Sequence, residues 1–138
     1  MIHGIGVDIV EIERIEQAIT KAQGRFQYRI FTASERDYCE GRVRPAEHYA
    51  ARFAAKEAFL KCLGYGIGSG IALADIEVTK DAAGQPGIVL SGPARGIVED
   101  RGIHRIHLSF SHSRSHATAV VICESGTQEG QIPDERQS

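Results

Sequence analysis

Arg52-Phe53-Ala54-Ala55-Lys56-Glu57-Ala58-Phe59-Leu60-Lys61-Cys62-Leu63-Gly64 reads as one long helix that carries charge where a plain core helix has none. At 100° per residue Tyr49, Ala50, Phe53 and Leu60 share an apolar stripe, and Glu57 projects from its middle. Ala51, Ala55, Ala58 and Cys62 line the reverse side, so the helix is apolar on two sides and is expected to be buried against a sheet or a second subunit. Pro45 suits its first turn and Gly64 its stop, which gives a rod of roughly 28 Å at ~1.5 Å per residue. A buried carboxylate requires a cation, because leaving it unpaired costs several kcal/mol or forces it to take up a proton. For Glu57 that cation is either Lys61, one turn on, or a metal.

The remaining chain surrounds this helix with short elements. Ile2 to Ile9 reads as a strand whose glycines, Gly4 and Gly6, allow a close backbone approach, and it delivers Asp8 at its end. Asp8 suits a helix N-cap first, with Glu11 three residues on, and secondly a metal ligand at a strand-to-helix junction. A helix from about Val10 to Thr20 follows, then Lys21, Arg25 and Arg29. With Arg14 these form either a solvated, dipole-balanced face or a basic strip around Phe26 that docks an acidic partner. Thr32-Ala33-Ser34-Glu35 is a capping box for a short helix ending near Gly41. The glycine-rich 64–70 segment matches no phosphate-loop fingerprint and reads as a permissive turn.

Ala74–Thr79 and Gly87–Leu90 suggest a hairpin, with Pro86 at an edge position or a strand start, and 93–100 a helix closed by Gly102. Ile106, Leu108 and Phe110 alternate towards the core, which leaves His107 and Ser109 on the other face. Ala117–Cys123 returns antiparallel through a polar turn, at whose start His112 suits a base, a phosphate contact or a backbone-bonded turn residue. The other histidines read as surface or turn residues. The pattern predicts an α+β domain over residues 1–123, one long buried helix on a small antiparallel sheet, with 124–138 a disordered tail.

At 138 residues and 42% hydrophobic content the chain supports one domain with a real core. A net charge of −2 gives no global attraction to nucleic acid, and no run reaches membrane-span length. A cytoplasmic protein is expected, with Cys39, Cys62 and Cys123 as reduced thiols because their number and spacing suit neither a disulfide framework nor zinc. A Ser-His-Asp hydrolase lacks its nucleophile elbow. Asp8 and Glu57, beside Arg52, Lys56 and Lys61, suit a hard divalent cation amid phosphate-binding charge. A non-catalytic module holding an acidic helix and a metal-dependent phosphohydrolase are the competing readings.

Gly4-Ile5-Gly6-Val7-Asp8-Ile9-Val10-Glu11 and Arg52-Phe53-Ala54-Ala55-Lys56-Glu57-Ala58, followed by Gly64-Tyr65-Gly66-Ile67, resemble the two signature blocks of the holo-[acyl-carrier-protein] synthase family. The resemblance continues through Gly84-Gln85-Pro86 and Ser109-Phe110-Ser111-His112, in order over about residues 1–123. It implies a 4′-phosphopantetheinyl transferase fold and transfer of phosphopantetheine from coenzyme A to a carrier serine, in the service of fatty acid biosynthesis. It further implies Mg²⁺ on Asp8 and Glu57, charge neutralisation by Lys61, and a coenzyme A site lined by Arg52, Lys56, Gly66, Pro86 and His112. Glu57 is the first candidate base and His112 the second. A homotrimer with sites between subunits and an acidic acyl carrier protein as partner are implied too, the latter shifting weight to docking by Arg14, Lys21, Arg25, Phe26 and Arg29. Cys62 departs from the small alanine familiar at its position.

Overall fold

The computed structural model describes residues 1–66 and 70–126. Two glycines decide how its layers meet. Strand β1 (Ile2–Glu11) crosses helix α4 (Pro45–Cys62) so closely that a Cβ on Gly6 would overlap the Ala58 carbonyl oxygen, and one on Gly4 that of Cys62. Alanines on the helix and glycines on the strand remove the side chains that would hold the two backbones apart. Alternation then turns Asp8 towards the helix and leaves Ile5, Val7 and Ile9 on the outer face, 60%, 57% and 67% exposed.

Strand β1 pairs antiparallel with β5 (His116–Ser125), and β5 with β4 (Ile103–His112), giving a three-stranded sheet in the order β1-β5-β4. Helix α4 lies on its inner face, and Phe59, Leu60, Val121, Cys123 and Leu108 share one core cluster. Strands β2 (Ile76–Lys80) and β3 (Pro86–Leu90) form a separate hairpin. Helices α1 (Ile12–Lys21), α2 (Arg25–Ile30) and α3 (Ala33–Glu40) build a second cluster with the first half of α4, while α5 (Gly92–Asp100) precedes β4.

The expected α+β architecture is present: the capping box at Thr32–Glu35 has both of its hydrogen bonds, and Pro45 opens α4. The end of α4 is a Schellman motif: Gly64, at φ +84°, lets its own N–H reach the Lys61 carbonyl at 2.9 Å and the Tyr65 N–H reach that of Leu60 at 2.8 Å. Two local expectations change. Strand β1 runs on to Glu11, α1 starts at Ile12, and Asp8 pairs with Ala119 inside the sheet, so it caps no helix. Continuous pairing with β5 outcompetes the earlier helix start. Strand β5 likewise extends to Ser125, two residues into the expected tail, and residues 127–138 lie outside the described residues.

Candidate active site

Glu57 is only 6% exposed, on the face of α4 that meets β1. Its Oε1 is buried without a hydrogen-bond partner, and burial first, then the neighbouring Asp8 charge, raise its pKa above the usual glutamate value against the pull of Lys61. Lys61 does not answer Glu57 with an ion pair. Its Nζ lies 2.9 Å from Asp8 Oδ1 and donates to the Val7 carbonyl at 3.2 Å. Two carboxylates therefore share a single lysine, and the negative charge is under-compensated.

These groups border a cleft of about 680 Å³ that Val10, Ile15, Phe53, Arg14, Tyr65 and Gly66 also line. Hard oxygen donors, mutual carboxylate repulsion and an orphaned buried oxygen fit a divalent cation held by Asp8 and Glu57. No cluster of three or more metal-ligating side chains exists among the described residues, so phosphate oxygens or water would complete such a coordination shell.

A second cluster gathers on another face of α4. The Arg52 and Arg42 guanidiniums each lie 4.1 Å from the Tyr38 ring centroid, and Lys80 Nζ lies 3.2 Å from the Tyr38 hydroxyl. His48 stacks edge-on with Tyr38 and with His112, whose Nδ1 lies 3.0 Å from Glu47 Oε2. Pro86 pairs in register with Lys80. Although buried, Arg52 keeps its Nε without a partner. Burial raises the pKa of the Tyr38 hydroxyl, but the Lys80 hydrogen bond and the surrounding cations outweigh it, and the net effect is a lowered pKa. Arg52, Pro86 and His112 thus form a cationic, aromatic group outside the Asp8–Glu57 cleft.

Two expected site residues lie elsewhere. Lys56 is fully buried, and its ammonium spends its three donors on Glu35 Oε1 at 2.8 Å, the Leu73 carbonyl at 2.9 Å and the Ile76 carbonyl at 2.6 Å. It has no donor left for a coenzyme and instead ties the β2–β3 hairpin to α4. Phe26 points inward, its ring 6.1 Å from Phe31 and 6.2 Å from Phe53, so it packs behind a cleft-lining residue and is no exposed anchor; the exposed aromatic of α2 is Tyr28. Arg14, Lys21, Arg25 and Arg29 are exposed, and Arg14 also reaches the cleft. Three participants escaped the sequence reading. Tyr65 and His116 line the cleft, and Glu35, legible only as a cap residue, anchors Lys56.

Residues 4–121 match the profile of the 4′-phosphopantetheinyl transferase superfamily. The chain is 54% identical over 124 residues to the holo-[acyl-carrier-protein] synthase of Syntrophus aciditrophicus, covering 90% of this chain and 97% of that one. The crystal structure of the Neisseria meningitidis synthase superposes with a TM-score of 0.84 at 36% identity, covering 91% of this chain and all of that one. The Bacillus anthracis synthase in complex with CoA (3′,5′-ADP) superposes at 0.75 and 42% identity, over 91% and 99% of the two chains.

Proposed function

This chain belongs to the 4′-phosphopantetheinyl transferase superfamily, among the holo-[acyl-carrier-protein] synthases, and we propose that it runs their reaction in the cleft of Asp8, Glu57 and Lys61. It transfers the 4′-phosphopantetheine group of coenzyme A to a serine of an apo acyl carrier protein and releases adenosine 3′,5′-bisphosphate. The observation that carries the site assignment is the orphaned, buried Glu57 oxygen beside an Asp8 that already shares its lysine.

Asp8 and Glu57 would hold Mg²⁺, which when bound would offset the pyrophosphate charge and polarise the reacting phosphoryl group. Lys61, anchored on Asp8, meets the same phosphates as a point charge. The serine oxygen forms its bond to the β-phosphorus as the bond to adenosine 3′,5′-bisphosphate breaks, and the serine proton passes to Glu57. Glu57 Oε1 has no hydrogen-bond partner, which leaves an oxygen able to accept that proton.

The assembly is a homotrimer in which Arg52, Pro86 and His112 of a neighbouring subunit close the coenzyme site over the cleft. Two observations support this: the cationic group stands apart from the acidic one, and Ile5, Val7 and Ile9 expose an apolar sheet face. In that arrangement His112 contacts coenzyme A and Glu57 is the base. Arg14, Lys21, Arg25 and Arg29 dock the acidic carrier, and Arg14 joins their strip to the cleft mouth. Free buried cysteines suit the cytoplasm, where the holo carrier would serve fatty acid biosynthesis.

Mass spectrometry of an apo carrier incubated with coenzyme A and Mg²⁺ tests the reading. A gain of the phosphopantetheine mass is expected; its absence across several carriers would overturn it.

A further inference from the structure

The Schellman motif already closes α4, yet a guanidinium from another element reaches its last turn. Arg101, the C-cap of α5, donates from one Nη to the Leu63 carbonyl at 2.7 Å and from the other to the Tyr65 hydroxyl oxygen at 3.2 Å. Its guanidinium carbon lies 5.2 Å from the Tyr65 ring centroid. The first contact satisfies a buried helix-end carbonyl that the motif leaves open. The second contributes nothing to helix closure, and it falls on a residue that lines the cleft beside Gly66 and Lys61.

Its chemistry is directional. A phenol oxygen that accepts from a guanidinium keeps its own O–H free to donate, and the nearby positive charge strengthens that donor. An anionic phosphate oxygen is the acceptor such a group suits. We propose that Tyr65 donates a hydrogen bond to a phosphate oxygen of coenzyme A, and that Arg101 is the positioning residue that holds Tyr65 and its 63–66 turn for this contact. The inference rests on the transferase reading of the cleft. The Arg101 Nη that bonds Leu63 also lies 3.4 Å from His3 Nε2, so the guanidinium is held from three sides.

The test compares the parent chain with Tyr65→Phe, Arg101→Ala, Arg101→Lys and the Tyr65→Phe/Arg101→Ala double variant, each in transfer kinetics and thermal melting. Tyr65→Phe keeps the packed ring, so its melting temperature should hold while KM for coenzyme A rises about tenfold, the size of one charge-assisted hydrogen bond. Arg101→Ala should raise KM similarly, Arg101→Lys should recover part of the loss, and the double variant should be no worse than the poorer single. An unchanged KM in Tyr65→Phe, or additive losses in the double variant, overturns the inference while leaving the transferase reading intact. A parent chain that transfers nothing overturns both.

Discussion

Lys56 and Glu57 are adjacent on α4, both are buried, and they do opposite things. Lys56 enters a closed network in which every polar atom has a partner. Glu35 accepts from Lys56 and the Thr32 N–H through one oxygen and from the Val78 N–H through the other, while Thr32 Oγ1 donates to Glu77. Glu57 faces a cleft with one oxygen unpartnered and a like charge nearby. Burial alone therefore does not separate structural charge from chemical charge. What separates them is whether the donors and acceptors balance: a saturated group fixes the fold, and an unsatisfied one has capacity left for a substrate or ion.

The strongest way to break this contrast is to neutralise each side. Glu57→Gln should lower turnover about a thousandfold or more, since it removes an electrostatic contact to the reacting group. The same variant should melt higher than the parent without metal at neutral pH, because an amide escapes the penalty of a buried, repelled carboxylate. Full turnover, or a lower melting temperature, would show Glu57 to be structural.

Lys56→Met should act in the other direction. It strands the Glu35 charge and should cost about 3–5 kcal/mol in urea unfolding, with Lys56→Met/Glu35→Leu recovering much of the loss. A stable Lys56→Met protein that had lost only coenzyme A affinity would restore Lys56 to the substrate site.

Charge reversal at the exposed Arg14 should raise KM for the carrier about tenfold, with the parent's carrier affinity falling as salt rises. Loss of coenzyme A binding with carrier affinity intact would displace the docking surface from α1.

The smallest expected effect is on stability against pH. Between the ordinary glutamate pKa and the raised folded value, the folded state binds more protons at Glu57 than the unfolded chain does. Stability from this group is thus present below the ordinary value and is lost as pH rises through the folded one. Urea melts of the metal-free parent and of Glu57→Gln over that window should diverge, and added Mg²⁺ should stabilise only the parent.

Local chemistry made much of the fold legible. The capping box, Pro45, Gly64 and the alternation of Ile106, Leu108 and Phe110 each act within a few residues, and each gave an element the structure contains. The glycines of β1 signalled a close approach without saying to what. The pairing of Asp8 with Glu57 was legible through the signature blocks, but the sharing of Lys61 was not, because helical spacing offered Glu57 as its partner and the strand crossing supplied Asp8. Phe26 looked like an anchor among cations until Phe31 and Phe53 closed over its inner face.

By itself, then, the sequence determined the elements, the buried character of α4 and the residue types available for phosphoryl chemistry, because propensity, capping and periodicity are short-range. Only the tertiary structure decided which of its charges are spent and which are free. That depends on partners brought from distant elements: Glu35 and the Leu73 carbonyl for Lys56, Asp8 for Lys61, and none for Glu57 Oε1.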